Sequence, residues 1–208
     1  IRECLDSILN QTYTNIQVIM IDDGGSDDTG LIMDSYSKKY DNFHVIHQEN
    51  MGPSAGRNKG VSLAETTYIA YVDGDDIIPE NAYESLMTTV EKNDADMAVG
   101  AVLRFDSKRQ VRSFLHKKAI KDTDYKTSIE LHKELVYDTT SWNKVYNLAM
   151  LRKHKITFPE GLIYEDIPYT MHAHLAANHI NIIEVPVYKW RWREGHNESI
   201  TQNREDIK

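Results

Sequence analysis

One stretch of the sequence constrains the fold more than any other: a run of strand-forming residues that ends in acids. Residues 68–72 favour a β-strand. Three carboxylates follow at once, those of Asp73, Asp75 and Asp76. Such clustered charge at the end of a buried strand is costly unless it is compensated, and Mg²⁺ or Mn²⁺ shared with substrate phosphates is a simple compensation. The alternative is a plain polar turn, since Asp-Gly is a common turn pair.

The first half of the chain alternates predicted strands with predicted helices. Apolar and β-branched runs predict strands at 16–21, 43–47, 68–72 and 96–103. Periodicity and caps predict helices at 1–10, 28–40, after Ser54 and at 79–92. The connections are long enough for parallel crossovers. We therefore expect one α/β domain with an open, mostly parallel sheet and helices on both faces.

Two of these predicted strands end in acidic and glycine-rich segments. The strand at 16–21 runs into Asp22-Asp-Gly-Gly-Ser-Asp-Asp-Thr-Gly30, and the strand at 68–72 runs into the cluster described above. In open parallel sheets, ligands bind beyond the carboxyl ends of the strands. Because both acidic segments are expected at that rim, a cation and phosphate site is favoured over a simple turn.

A glycine-punctuated loop, residues 49–60, runs into the third helix. Ser54 is a good N-cap, and Arg57 and Asn58 would lie in the first turns, where helix N-termini bind anions. The loop is not a Walker motif, because Gly56 is followed by Arg57-Asn58. A helix start with an exposed arginine is the alternative.

The second half of the chain is harder to interpret. Residues 105–124 are basic and predict an irregular segment or hairpin, with a solvated charge run as the simplest explanation. We expect a helix at 126–137, an extended piece at 141–146, a helix at 148–154 and a last strand at 181–187. Glu165 and Asp166 begin a further helix, where carboxylates either cap the helix or serve a site.

Composition narrows the class of function. The formal net charge is −8 over 208 residues, which argues against binding a nucleic-acid polymer. Cys4 is the only cysteine, and no signal peptide or apolar run of about 20 residues is visible. We expect a cytoplasmic protein. Peripheral contact with the inner face of the membrane stays open, because a lipid-linked substrate would leave no mark in the sequence.

Five motifs in order resemble family 2 inverting glycosyltransferases, which have the nucleotide-diphospho-sugar transferase fold called GT-A. They are Asp22-Asp-Gly-Gly-Ser-Asp-Asp, residues 50–60, Tyr71-Val-Asp-Gly-Asp-Asp76, Trp142-Asn-Lys and Tyr164-Glu-Asp166. The resemblance covers nearly the whole chain. It implies a nucleotide-sugar-binding half at about 1–103 and an acceptor and catalytic-base half at about 104–208.

The resemblance also implies roles on the donor side. Asp23 resembles the acid that contacts the nucleotide base, and Asp73 resembles the first acid of the Asp-x-Asp motif, near ribose or sugar hydroxyls. Asp75 resembles the second acid, which binds Mn²⁺ or Mg²⁺. Arg57 and Asn58 lie in the loop over the nucleotide.

The remaining implied roles concern the base and the C-terminal loop. Asp166 looks like the catalytic base, and Glu165 supports it. Arg193, Ser199 and His196 resemble a loop that closes on the diphosphate, and His196 is a further candidate metal ligand.

Together these features predict a metal-dependent transferase that moves a sugar from a UDP-sugar to a saccharide, polyol or lipid-linked acceptor, with inversion, in cell-surface polysaccharide or glycoconjugate synthesis. A nucleotidyl or sugar-phosphate transferase and a non-catalytic nucleotide-binding relative are the alternatives. Homo-oligomerisation stays open. Two departures from the family stand out: Gly25 precedes Ser26, and the strand that usually comes before the first helix is not seen before Ile1.

Overall fold

The computed structural model describes residues 1–193. Its helices are α1 Arg2–Leu9, α2 Thr29–Lys39, α3 Pro53–Leu63, α4 Ala82–Asn93, α5 Phe114–Ala119, α6 Leu148–Lys153 and α7 Asp166–Ala176, with a 3₁₀ helix at Lys133–Tyr137. Its strands are β1 Val18–Asp22, β2 Phe43–His47, β3 Tyr68–Ile69, β4 Met97–Phe105, β5 Gln110–Arg112, β6 Asp124–Thr127, β7 Lys144–Asn147 and β8 Ile180–Arg191.

The strands form two sheets. β1 and β2 pair in parallel, and the larger sheet has the order β3-β7-β4-β8-β6, with β5 paired to β4. The longest ladder is the parallel pair β4–β8, and shorter antiparallel ladders join β3, β5, β6 and β7 to the sheet. Most paired residues lie in the two parallel ladders, so the predicted α/β class with a mostly parallel sheet is confirmed.

The main core surrounds β4 and β8. Residues 97–102 of β4 are buried almost completely, and Tyr188 and Ile182 of β8 pack in the same cluster. Gly100 permits this close approach, because a Cβ there would lie 2.4 Å from a methyl group of Val187. A smaller cluster under β1 and α2 contains Leu5, Met20, Met33, Tyr36 and Phe43.

A cavity of about 890 Å³ lies between the two sheets. Residues 18–21 line one side of it and residues 67–73 line the other. Asp23 and Asp73 also line this cavity. The carboxyl ends of two separate strands therefore come to one rim, as the sequence predicts.

Three predicted elements need correction. The ladder of β3 stops at Ile69 rather than at Val72, because residues 70–72 continue along the cavity instead of beside β7. The predicted helix at 126–137 is wrong: its start pairs with β8 as β6, and only a 3₁₀ turn forms at its end. Asn181 accounts for part of this, since its side chain accepts a hydrogen bond from Lys126 N (2.8 Å). Ser54 is not the cap of α3, whose N-cap is Gly52.

The basic segment after β4 is the hairpin that the sequence allowed. β5 pairs antiparallel with β4, Leu103 opposite Arg112, and α5 follows directly. Among the described residues, no helix combines the length and apolar character needed to cross a bilayer.

Candidate active site

The candidate site lies at the rim of the cavity, where four segments of the chain meet. Asp23 follows β1, and Asp73 and Asp75 follow the strand that begins with β3. Arg57 projects from α3, and Asp166 is the first residue of α7. The residues that sequence analysis selected within 1–193 thus converge from distant positions in the chain.

Arg57 is the centre of this convergence. Its Nη2 donates to Asp73 Oδ1 (2.8 Å) and its Nη1 donates to Glu165 Oε1 (2.5 Å). The same Nη1 lies 3.7 Å from Asp166 Oδ1. The Arg57 side chain is only 16% exposed. Little water screens it, so one guanidinium compensates three carboxylates that come from two halves of the chain.

Asp166 has the surroundings expected of a proton acceptor. Its side chain is 19% exposed, and Ser141 N lies 3.4 Å from Oδ2. Within the described residues, Oδ1 has no hydrogen-bond partner. Burial raises the pKa of this carboxyl above its ordinary value, Asp73 raises it further, and Arg57 lowers it. A carboxylate with a raised pKa and an unused oxygen can accept a proton from a nearby hydroxyl.

Residues 138–144 are held beside Asp166 by a buried ion pair. Lys144 Nζ donates to Asp138 Oδ1 (2.8 Å) and to Asn143 Oδ1 (2.7 Å), and both charged side chains are fully buried. Burial alone would raise the pKa of Asp138, but Lys144, with smaller contributions from His116 and His174, keeps that pKa below its ordinary value. This ion pair fixes the turn that presents Ser141 N to the candidate base. The Trp142-Asn-Lys motif was its only signal in the sequence.

Asp23 is tied into the loop that precedes α3. Its Oδ1 accepts from Gln48 Nε2 (2.7 Å) and Met51 N (2.9 Å), and its Oδ2 accepts from Gly52 N (2.8 Å). Burial raises the pKa of this carboxyl, but these hydrogen bonds outweigh it and hold the pKa below its ordinary value. Asp23 therefore stays ionised and orders residues 48–52. Its contact with a nucleotide base stays a prediction.

Asn58 joins α3 to the loop before α7. Its Nδ2 donates to Phe158 O (2.9 Å), and its Oδ1 accepts from Phe158 N (2.9 Å). Ser54 makes a similar link, since its hydroxyl donates to Pro159 O (2.8 Å). Both side chains thus position the segment that leads to Glu165 and Asp166. A direct phosphate contact of Asn58 stays a prediction.

Asp75 and Asp76 differ sharply in environment. Asp75 Oδ2 accepts from Arg193, at 2.9 Å from Nε and 2.8 Å from Nη2, and this carboxylate is 32% exposed. Asp76 is buried and accepts from Arg191 N (2.7 Å) and Tyr188 Oη (2.8 Å). Burial raises the pKa of Asp76 to about 8. Asp76 is therefore a structural acid, and of these two acids only Asp75 is accessible from the surface.

Tyr188 is a residue that sequence analysis missed. It is fully buried in β8. Its hydroxyl accepts a hydrogen bond from Asp73 N (3.1 Å) and donates one to Asp76 Oδ2 (2.8 Å). Its ring stacks on Trp142, with centroids 4.1 Å apart. Tyr188 thus connects the acidic turn to the strand beneath it. In the sequence it looks like any other aromatic residue of a buried strand.

The described residues contain no cluster of three or more His, Cys, Asp or Glu side chains arranged to hold a metal ion. The site nevertheless fits a divalent cation of the kind that takes one or two carboxylates and completes its shell with substrate phosphates. Asp75 offers one such carboxylate, which is partly exposed and forms no ion pair with Arg57. His196 and Ser199, the other predicted ligand and donor-contact residues, lie outside the described residues.

Comparison with known proteins finds glycosyltransferases among both the solved structures and the sequence relatives. The TarS 1–349 crystal structure from S. aureus, in complex with UDP-GlcNAc, superposes with a TM-score of 0.82 at 27% identity, over 94% of this chain and 55% of that chain. EpsH of Bacillus subtilis (strain 168) is 34% identical over 195 residues, 92% of this chain and 56% of the relative. The poly(ribitol-phosphate) β-glucosyltransferase of Bacillus spizizenii is 33% identical over 187 residues, 88% of this chain and 28% of the relative.

The chain has the GT-A fold of the TarS structure, with acids at the rim of its sheet, and the predicted fold is confirmed. The family model for glycosyl transferase family 2 matches residues 1–155, so the chain belongs to that family. The chain spans about half the length of EpsH and of TarS 1–349.

Proposed function

We propose that this chain transfers a sugar from a UDP-sugar to an acceptor hydroxyl, with inversion at the anomeric carbon. The observation that carries the proposal is the Asp166 carboxylate, which is buried, has a raised pKa and, within residues 1–193, keeps one oxygen without a hydrogen bond. The TarS structures with UDP-GlcNAc and with UDP support a uridine nucleotide donor.

The chemistry assigns a different task to each side of the site. Asp166 accepts the proton of the acceptor hydroxyl as its oxygen attacks the anomeric carbon. Breaking the sugar–phosphate bond develops negative charge on the leaving diphosphate, and Arg193, beside Asp75, is the cation at hand to stabilise it. Because base and leaving group act on opposite faces of the sugar, the configuration inverts.

A divalent cation, Mn²⁺ or Mg²⁺, fits this site through Asp75. When bound, it would stabilise the charge of the leaving diphosphate as a Lewis acid. Asp73 is better placed for a hydroxyl of the sugar or ribose, because Arg57 already holds one of its oxygens.

The acceptor belongs, in this proposal, to a cell-surface polysaccharide or glycoconjugate. Two relatives support this, since one is named a poly(ribitol-phosphate) β-glucosyltransferase and the other, TarS, a poly(ribitol-phosphate) β-N-acetylglucosaminyltransferase. A saccharide, polyol or lipid-linked hydroxyl would each satisfy the chemistry of Asp166.

The decisive experiment measures UDP release across common UDP-sugars with Mn²⁺, using the full chain with and without acceptor. We expect Asp166→Asn to abolish transfer while UDP with Mn²⁺ still raises the melting temperature. Asp41→Asn is the matched control, because Asp41 is an exposed acid in the turn before β2. Full transfer by Asp166→Asn would remove Asp166 as the base, and no thermal shift with any nucleotide diphosphate would argue for a non-catalytic relative.

A further inference from the structure

Three exposed side chains on α5 and the 3₁₀ helix form a compact cluster. Lys118 Nζ lies 4.8 Å from the centroid of the Phe114 ring and 5.0 Å from that of the Tyr137 ring. Phe114 is 70% exposed, and its neighbours Leu115 and Lys117 are exposed too. We call these five residues, Phe114, Leu115, Lys117, Lys118 and Tyr137, the cationic–aromatic patch.

The charge of this region opposes that of the whole chain. Residues 108–126 contain seven Lys or Arg and two Asp, whereas the formal net charge of the chain is −8. Arg112 and Lys121 are offset by ion pairs with Glu184 and Glu134. Lys117 and Lys118 form no ion pair within residues 1–193, so the patch keeps its positive charge at the surface.

The opposite face of α5 is anchored in the acceptor half of the domain. His116 is buried and hydrogen-bonds to Ser113 Oγ (2.7 Å) and Thr140 Oγ1 (2.9 Å). Thr140 precedes Ser141, whose amide lies 3.4 Å from the Asp166 carboxylate. The patch is therefore about one helix diameter, roughly 10 Å, from the segment beside the candidate base.

Exposed aromatic and aliphatic side chains beside unpaired lysines are the composition of a surface that lies in a membrane interface. The lysines attract anionic headgroups, and the apolar side chains enter the boundary of the acyl chains. A soluble polyanion would use the lysines but would leave Phe114 and Leu115 in water. A second copy of the chain would bring the same positive charges together.

We propose that the cationic–aromatic patch docks the enzyme on an anionic lipid bilayer, with the acceptor half turned towards the membrane. This goes beyond the transfer reaction, because docking needs no donor, metal or catalysis. It would bring the Asp166 side of the domain to hydroxyl groups carried on lipids at the bilayer surface.

The test is co-sedimentation of the full chain with unilamellar vesicles, comparing equal parts phosphatidylglycerol and phosphatidylcholine with phosphatidylcholine alone. We expect binding to the anionic vesicles that weakens with salt. The double variant Lys117→Glu/Lys118→Glu should lower partitioning more than about tenfold, because each lysine near an anionic surface contributes roughly fivefold. Phe114→Ser should lower it several-fold at unchanged salt.

Matched controls exist on α2. Lys38 and Lys39 are also adjacent lysines in the last turn of a helix, and Lys39 lies 4.9 Å from the Tyr40 ring. Leu31 is 70% exposed, as is Phe114. Lys38→Glu/Lys39→Glu and Leu31→Ser should bind vesicles like the parent chain.

Four results would overturn the proposal. The first is equal binding to neutral and anionic vesicles, and the second is equal losses in the α2 controls. The third is binding to soluble heparin that matches vesicle binding and is unaffected by Phe114→Ser, which would indicate a polyanion site. The fourth is a dimer in light scattering that Phe114→Ser dissociates, which would indicate a contact between copies. Because no arm measures transfer, the outcome is separable from that of the proposed function.

Discussion

Replacing Arg57 by methionine tests whether this residue controls the proton affinity of the candidate base. Methionine keeps the apolar stem and removes the charge that faces Asp73, Glu165 and Asp166. The pKa of Asp166 should rise, because burial and Asp73 already raise it and Arg57 is the principal opposing influence. The acidic limb of the pH profile should therefore move to higher pH.

The structure sets the size of this shift. Arg57 Nη1 lies 3.7 Å from Asp166 Oδ1. At that distance the attraction of two unit charges is about 1 kcal/mol in water and about 4 kcal/mol at an effective dielectric constant of 20. Since about 1.4 kcal/mol corresponds to a tenfold change in proton affinity, removing the charge should raise the pKa of Asp166 and weaken release of its proton at least several-fold.

The assay is kcat/KM for UDP release from pH 5 to 9, since its acidic limb reports the base of the free enzyme. Arg152→Met is the control: this arginine donates to the carbonyls of Val61 in α3 and of Ala64 just after it, and it has no ion pair with the acids at the rim within residues 1–193. A uniform loss of activity in Arg57→Met with an unmoved acidic limb would refute the reasoning and assign Arg57 to donor binding alone.

Three further outcomes follow from other contacts. Asp76 has a pKa of about 8 in the folded chain, so its contribution to stability is fully present below about pH 4, declines above that pH as the unfolded chain ionises, and is lost as the pH rises through 8. Thermal melts should show this decline, of at most about 6 kcal/mol, and Asp76→Asn should remove it. Lys144→Met should lower the free energy of unfolding in urea by about 3 to 5 kcal/mol, because the buried Asp138 loses its cation. If adding Asp138→Leu to that variant restores stability, the loss came from the broken ion pair and not from packing. Tyr164 has a φ of 63°, a backbone conformation that costs a non-glycine residue about 1 kcal/mol. The Tyr164→Gly variant should therefore have a higher melting temperature than Tyr164→Ala. Equal melting temperatures would show that the backbone is not strained there.

The sequence predicted the alternation of elements because apolar periodicity is a local property. Strands such as β2 and β4 form where β-branched and apolar residues run together, and α7 begins at the predicted acids. The rim could be predicted for the same reason, since both acidic segments directly follow runs of strand-forming residues in the sequence. The division of the chain into two functional halves stays a prediction.

The contacts that organise the site could not be predicted, because they join residues far apart in the chain. Arg57 and Glu165 are separated by 108 positions, and nothing local to either indicates the other. The error at 126–137 has the same origin. Pairing with β8 outweighs the helical pattern there, and Lys126 adopts a positive φ of 56° that no helix contains.

The arginines on the two sides of the rim differ in how readily a bound cation could replace them. Arg57 contacts three carboxylates and is mostly buried, so displacing it would leave all of them uncompensated. Arg193 is 41% exposed and pairs with the partly exposed carboxylate of Asp75, and a divalent cation there would replace the compensation that Arg193 supplies. Charge from a donor diphosphate and its metal should therefore enter on the Asp75 side, which leaves Asp166, across Asp73, for the acceptor. Such a division puts the leaving group and the base on separate sides of the sugar, as an inverting transfer requires.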